Sequence, residues 1–169
     1  MPEISVIIPV YNKEQYVRKA LESVLDQSFV NIEVIVVNDG STDRSLEIIQ
    51  EIAETDNRVH IIDIPNAGVS NARNVGLLQS SGNWIQFLDA DDWLEPDYLA
   101  EAVRILIKNK ADILFSGFRM VDVHGKVIRE ITSPMSGITN ELELCDSFIH
   151  NQYKSGYFGF ISNKLFNRV

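Results

Sequence analysis

The sequence predicts an α/β fold in which helices flank a mixed sheet. Short, mostly β-branched apolar runs alternate with stretches whose apolar residues recur at helical spacing. This is the strand–helix alternation of parallel sheets with right-handed crossovers. Each run also breaks off into polar or turn-forming residues: Pro9 to Asn12, Asn38 to Ser41, Asn66 to Gly68 and Asp89 to Asp92. Parallel strands place such endings on one edge, where α/β sheets bind ligands.

The first run, Ile4-Ser5-Val6-Ile7-Ile8, is nearly continuous in apolar side chains, as in a strand buried on both faces. Pro9 is expected to end it, having no amide for the ladder. Val17, Ala20, Leu21, Val24 and Leu25 mark an amphipathic helix. Ile32 to Val37 is the second strand, leaving through Asn38-Asp39-Gly40. Ser41 or Thr42 is a candidate cap for the next helix, which carries Leu46, Ile49, Ile52 and Ala53. Val59 to Ile64 is the third strand, stopped by Pro65. Asn66-Ala67-Gly68 opens a helix with Val69, Ala72 and Val75, ending near Ser81-Gly82. The fourth strand runs from Trp84 through Ile85, Phe87 and Leu88 into Asp89.

Pro96 belongs in the first turn of a helix whose buried face is Leu99, Ala102, Val103 and Leu106. Ile113 to Val121 reads as a strand, with Val127 to Ile131 as its hairpin partner across His124-Gly125. Ser133 to Gly137 reads as a loop and Leu142 to Ile149 as a helix, while Tyr153 to Phe160 has no clear period. A single domain over residues 1–169 is expected, with 1–109 built of crossovers and 110–169 of mixed elements.

Apolar residues make up 45% and charged residues 23%, as in ordinary soluble proteins. A net charge of -9 speaks against nucleic acid, whose phosphates need a basic face. The single cysteine, Cys145, leaves no internal disulfide and fits a reducing compartment. No apolar run approaches the roughly 20 residues that span a bilayer. Ile4 to Val10 is too short for a signal peptide. A cytoplasmic location is therefore expected.

Asp89, Asp91 and Asp92 crowd the end of the fourth strand. Like charges repel there and resist desolvation, and a divalent cation relieves both. The plainer reading is that they cap the next helix or face water. Ala90 is small, which would let Asp89 and Asp91 approach a ligand closely. No Gly-x-Gly-x-x-Gly follows the first strand and no P-loop occurs, so a backbone cradle for phosphate is missing. A metal held by carboxylates and gripping a diphosphate is another solution. Taken singly, Asp39 is equally a brace for the Asn38–Gly40 turn, Tyr11 a half-buried packing aromatic and Arg73 a solvated charge. His60, His124 and His150 share no ligand spacing, and Glu14, Glu22, Glu47, Glu51 and Glu54 read as solvated helix faces.

Together these segments resemble the family 2 glycosyltransferases, inverting enzymes of the GT-A fold, a Rossmann-like architecture for nucleotide-diphospho-sugars. The likeness runs from about Ile4 to about Asn109. It rests on Val6-Ile7-Ile8-Pro9-Val10-Tyr11-Asn12, on Val37-Asn38-Asp39-Gly40-Ser41-Thr42-Asp43, on Asn66-Ala67-Gly68-Val69-Ser70-Asn71-Ala72-Arg73-Asn74-Val75-Gly76, and on Phe87-Leu88-Asp89-Ala90-Asp91-Asp92. The resemblance implies that Pro9 and Tyr11 line a nucleobase pocket and that Asp39 accepts the imide hydrogen of uracil. It implies that Asn66 and Arg73 lie along the nucleoside and diphosphate. Asp89 would face the ribose and sugar, and Asp91 a Mn2+ or Mg2+, with Asp92 sharing the metal. A UDP-sugar donor, a glycan or lipid-linked acceptor and contact with the inner face of the membrane are implied by the same resemblance.

The family's general base is an Asp or Glu beyond a segment like Ser162-Asn163-Lys164-Leu165-Phe166, and this sequence stops at Val169. Asp112, Asp122, Glu130, Glu141, Glu143 and Asp146 sit in no recognisable base motif. The expectation is the donor-binding part of a longer enzyme. The rivals are a nucleotide-sugar binder without turnover, a sugar nucleotidyltransferase, and an α/β interaction domain that binds no nucleotide. The nucleotidyltransferase would need a glycine-rich loop where Pro9 to Glu14 has no glycine. The interaction domain leaves the acids unexplained.

Overall fold

The computed structural model describes residues 1–132, 162 and 164–168. Its crossover half contains β1 (Ile4–Val10), α1 (Val17–Leu25), β2 (Ile32–Asp39), α2 (Ser45–Ala53), β3 (Val59–Ile64), α3 (Val69–Gln79) and β4 (Trp84–Phe87). The later elements are α4 (Tyr98–Asn109), β5 (Ile113–Phe115), β6 (Phe118–Val121), β7 (Val127–Ile131) and β8 (Lys164–Asn167). Six strands form one sheet in the order β3-β2-β1-β4-β8-β5, and β6 and β7 pair separately. The first four strands run parallel, and β8 lies antiparallel between β4 and β5.

Strand alternation sets the layers. Ile4, Val6, Ile8 and Val10 of β1 pack with Val34 and Val36 of β2 against α1, α2 and α4. Ile7, Ile35, Val37 and Phe87 turn the other way, onto Ala72 of α3. β1 is therefore buried on both faces, as its unbroken apolar run requires. The strand order reverses beside β1, which has β2 on one side and β4 on the other. That reversal opens a crevice at the carboxyl ends of the strands.

Several boundaries differ from expectation. Pro9 does not end β1; it pairs with Val37 and the strand continues to Val10. The Ile7 carbonyl accepts the Leu88 amide, so it faces β4. Two residues on, position 9 faces the same side, but the β4 ladder stops at the Ile7–Phe87 pair. The missing amide therefore costs no ladder bond. α2 begins at Ser45, too late for Ser41 or Thr42 to cap it. The Asp43 carboxylate instead accepts the Ser45 amide at 2.9 Å. Pro96 lies ahead of α4, whose N-cap is Asp97 in the left-handed region. Glu14 precedes α1 and belongs to a loop, not a helix face.

The expected strand from Ile113 to Val121 is two strands. Its first part joins the large sheet and its second pairs with β7. The break falls at Ser116-Gly117, where a Cβ on Gly117 would sit 2.8 Å from the Ile131 carbonyl oxygen. The β6–β7 hairpin across His124-Gly125 is as expected. The expected loop at 133–137, the helix at 142–149, the aromatic stretch at 153–160, Cys145 and His150 lie outside the described residues. Among the described residues, no helix is long and apolar enough to cross a membrane.

Candidate functional site

The loops that leave β1, β2, β3 and β4 meet at one sheet edge and are laced together. Asn12 adopts a left-handed φ of 52°, a conformation that asparagine tolerates better than most residues. Its amide donates to the Ser41 hydroxyl at 3.1 Å, and its side-chain oxygen accepts the Thr42 amide at 2.8 Å. The Lys13 amide donates to the Ser45 hydroxyl at 2.8 Å. Glu14 and the 43–44 segment exchange bonds: the Glu14 amide donates to Asp43, and the Arg44 amide to Glu14, each at 3.0 Å. Gly40, at φ 68°, passes so close to the third loop that a Cβ would lie 2.7 Å from the Asn66 nitrogen.

Asp39 is 2% exposed. It does not brace its own turn, where Asn38 instead accepts the Ser41 amide. Its two carboxylate oxygens accept the Ala67 and Gly68 amides at 2.8 and 2.9 Å, while the Asn66 side chain donates to the Asp39 carbonyl. Asp39 thus fixes the entry to α3. Pro9 is buried in β1 behind this junction. Tyr11 follows directly after β1 with 48% of its surface exposed.

The three acids meet three different partners. Arg73 on α3, partly buried, reaches Asp89 at 2.6 Å, so the solvated-charge reading of Arg73 does not hold. Lys13 reaches Asp91 at 2.7 Å. The Ser162 hydroxyl donates to Asp92 at 3.0 Å. Two of the three acids are thus paired with cations of the chain and the third with a neutral hydroxyl. The Asp92 carboxyl is still pushed above the usual carboxylate range, first by desolvation; the Ser162 hydroxyl opposes this, and the charges of Asp89 and Asp91 add to it. Among the described residues, no three His, Cys, Asp or Glu side chains are arranged to hold a metal. One or two carboxylates completed by phosphate oxygens and water, the habit of Mg2+, suit what is present. Ala90 is 2% exposed and sits in the core, so its small side chain serves packing.

Beside Asp91 and Asp92 a cavity of about 690 Å³ separates this loop from the β6–β7 hairpin. Trp93, Tyr98, Phe118, Arg119 and Ser162 contribute to its lining. Arg119 ties the hairpin to the loop through Glu95 at 3.0 Å and to Glu130 at 3.6 Å. Sequence reasoning missed Lys13 and Ser162. Lys13 carried one signal, its place beside Tyr11-Asn12 at the end of the first strand.

Comparison with known proteins fits this geometry. Residues 5–169 match the family model described as Glycosyl transferase family 2. The chain is 48% identical over 116 residues to Glycosyltransferase GlyA of Streptococcus pneumoniae serotype 4, across 69% of this chain and 17% of that protein. The structure of S. aureus TarS 1-349 in complex with UDP-GlcNAc superposes with a TM-score of 0.66 at 30% identity, over 83% of this chain and 37% of that one. The mannosyltransferase PcManGT from Pyrobaculum calidifontis, in complex with GDP-Man and Mn2+, gives 0.63 at 26% identity, over 68% and 35%. The chain thus spans about a sixth of GlyA and little more than a third of either solved chain. A family match over nearly every residue, on a sheet with this strand order, settles the assignment: the chain belongs to glycosyltransferase family 2 and has its GT-A fold.

Proposed function

We propose that this chain carries the donor site of an inverting glycosyltransferase that takes a UDP-sugar with Mn2+ or Mg2+. The sugar passes to a glycan or lipid-linked acceptor at the cytoplasmic face of the membrane. The observation that carries this reading is the pairing of the acid loop with cations from two other segments, Arg73 with Asp89 and Lys13 with Asp91, at the strand ends where Asp39 also holds the entry to α3. Support comes from TarS, solved with UDP and with UDP-GlcNAc, and from PcManGT, solved with GDP-Man and Mn2+.

In this reading the exposed Tyr11 ring, beside Pro9, packs on the nucleobase. Asp39 keeps lone pairs beyond the two amides it holds, and these accept the imide N–H of uracil. Asn66 and Arg73 lie along the nucleoside and diphosphate. The Arg73 Nε is buried with no hydrogen-bond partner among the described residues, leaving a donor for a phosphate oxygen. Asp89 orients the ribose and sugar, and Asp91 and Asp92 hold the cation. When bound, the cation supplies Lewis-acid neutralisation of charge on the departing UDP. Lys13, within 2.7 Å of Asp91, adds a second positive charge beside the diphosphate. The cavity beyond Asp92 takes the acceptor; its volume lies in the usual range for small-molecule sites, roughly 300–1,000 Å³. Deprotonating the acceptor hydroxyl needs a general base, which this reading places outside the described residues.

Calorimetry of UDP binding with and without Mn2+ tests the site. The wild-type chain should bind UDP more tightly with Mn2+, and Asp91→Ala should lose that dependence. Unchanged metal dependence in Asp91→Ala would refute the reading.

A further inference from the structure

Gln86 is a polar side chain in the middle of the core, with 0% exposure between strands of aliphatic residues. A buried amide costs free energy unless its donors and acceptor are paired. Here they are paired in a specific pattern. Its Nε2 donates to the Phe87 carbonyl at 2.7 Å and to the Ser162 carbonyl at 2.9 Å, and its Oε1 accepts the Tyr98 hydroxyl at 3.2 Å. The Ser116 hydroxyl in turn donates to Tyr98 at 3.4 Å.

Those two carbonyls belong to the segments that carry the acid loop and Ser162. The antiparallel β4–β8 ladder ends at the Gln86–Leu165 pair. Beyond it, among the described residues, no backbone ladder joins the chain entering Asp89–Asp92 to the chain at Ser162. The Gln86 amide bridges that gap, taking one carbonyl from each side. The Ser162 hydroxyl then reaches Asp92 at 3.0 Å. The donor-site chemistry gives neither Gln86 nor Ser162 a direct part.

We propose that Gln86 is a positioning residue, which acts through Ser162 to hold the Asp92 carboxylate in the orientation that receives the cation. This rests on the donor-site reading. Outer partners of a metal-binding carboxylate orient it, and removing one typically weakens the metal by about 10- to 100-fold.

The test is UDP calorimetry with and without Mn2+ on the whole chain, for Gln86→Met, Ser162→Ala and the double variant. Each single change should weaken Mn2+-dependent UDP affinity by about 10-fold and leave metal-free UDP affinity unchanged. The double variant should be no weaker than either single variant, because both break one relay. Tyr98→Phe removes only the hydroxyl that orients the amide, and it should shift affinity the same way if Gln86→Met fails to fold. Unaltered Mn2+ dependence in Ser162→Ala, or losses that add in the double variant, would overturn the proposal. A wild-type chain with no metal-dependent UDP binding is a different result, and it refutes the donor-site reading together with this one.

Discussion

Asp39 joins two loops through one carboxylate, each oxygen holding a backbone amide of the third loop. An asparagine there offers one oxygen and an NH2 group, which would confront an amide donor. Asp39→Asn should cost about 2 kcal/mol, the scale of a buried unsatisfied donor, read as a lower urea midpoint. Lys13 behaves differently. Its ion pair with Asp91 is 35% and 45% exposed, and such pairs contribute under about 1 kcal/mol to stability. Lys13→Ala should leave the urea midpoint nearly unchanged and weaken UDP binding several-fold by calorimetry. Both residues show the limit of sequence reasoning at this scale. Asp39 was visible as a turn acid, but its partners lie 28 and 29 positions away. A lysine alone in sequence reads as solvated surface, and only the fold brings Lys13 to Asp91, 78 positions on.

At the level of elements, the second residue of β2 is a carboxylate that ties three segments. Glu33 accepts the Ser81 amide at 2.6 Å, the Gly82 amide at 3.2 Å and the Ser5 hydroxyl. Burial pushes its carboxyl up, but the Ser5, Ser81 and Gly82 bonds outweigh this and hold it below the usual range. A depressed folded pKa contributes stability above the unfolded value, about 4.3, and that contribution is lost as pH falls through the folded pKa. The wild-type chain should therefore exceed Glu33→Gln in urea midpoint at neutral pH, and the gap should close below about pH 4. Gly40→Ala forces a side chain into a left-handed turn against Asn66 and should cost about 1–3 kcal/mol, measured by thermal unfolding. The helices of the first half were legible because periodicity is a local signal. The division of 113–121 into β5 and β6 was not, because it depends on which strand each half meets.

For the molecule as a whole, β8 stitches the crossover half to the later elements. It pairs with β4 on one side and β5 on the other, so among the described residues β5 reaches the sheet only through it. A chain ended after Thr132 exposes the β4 edge and orphans β5. It should melt roughly 10 °C lower, taking a loss of a few kcal/mol at about 2–4 °C each. The parallel core was readable from its four apolar runs. β8 was not, since its four residues carry no period and its partners lie about 50 to 80 residues away. Pro9 has a consequence at this scale too. A sheet tends to zip onward wherever a free donor invites another backbone. The prolyl nitrogen offers none on the side facing β4, so pairing beyond the Ile7–Phe87 end of the ladder would lack one of its bonds. At the doorway between β1 and β4, a missing amide proton removes one invitation to close it.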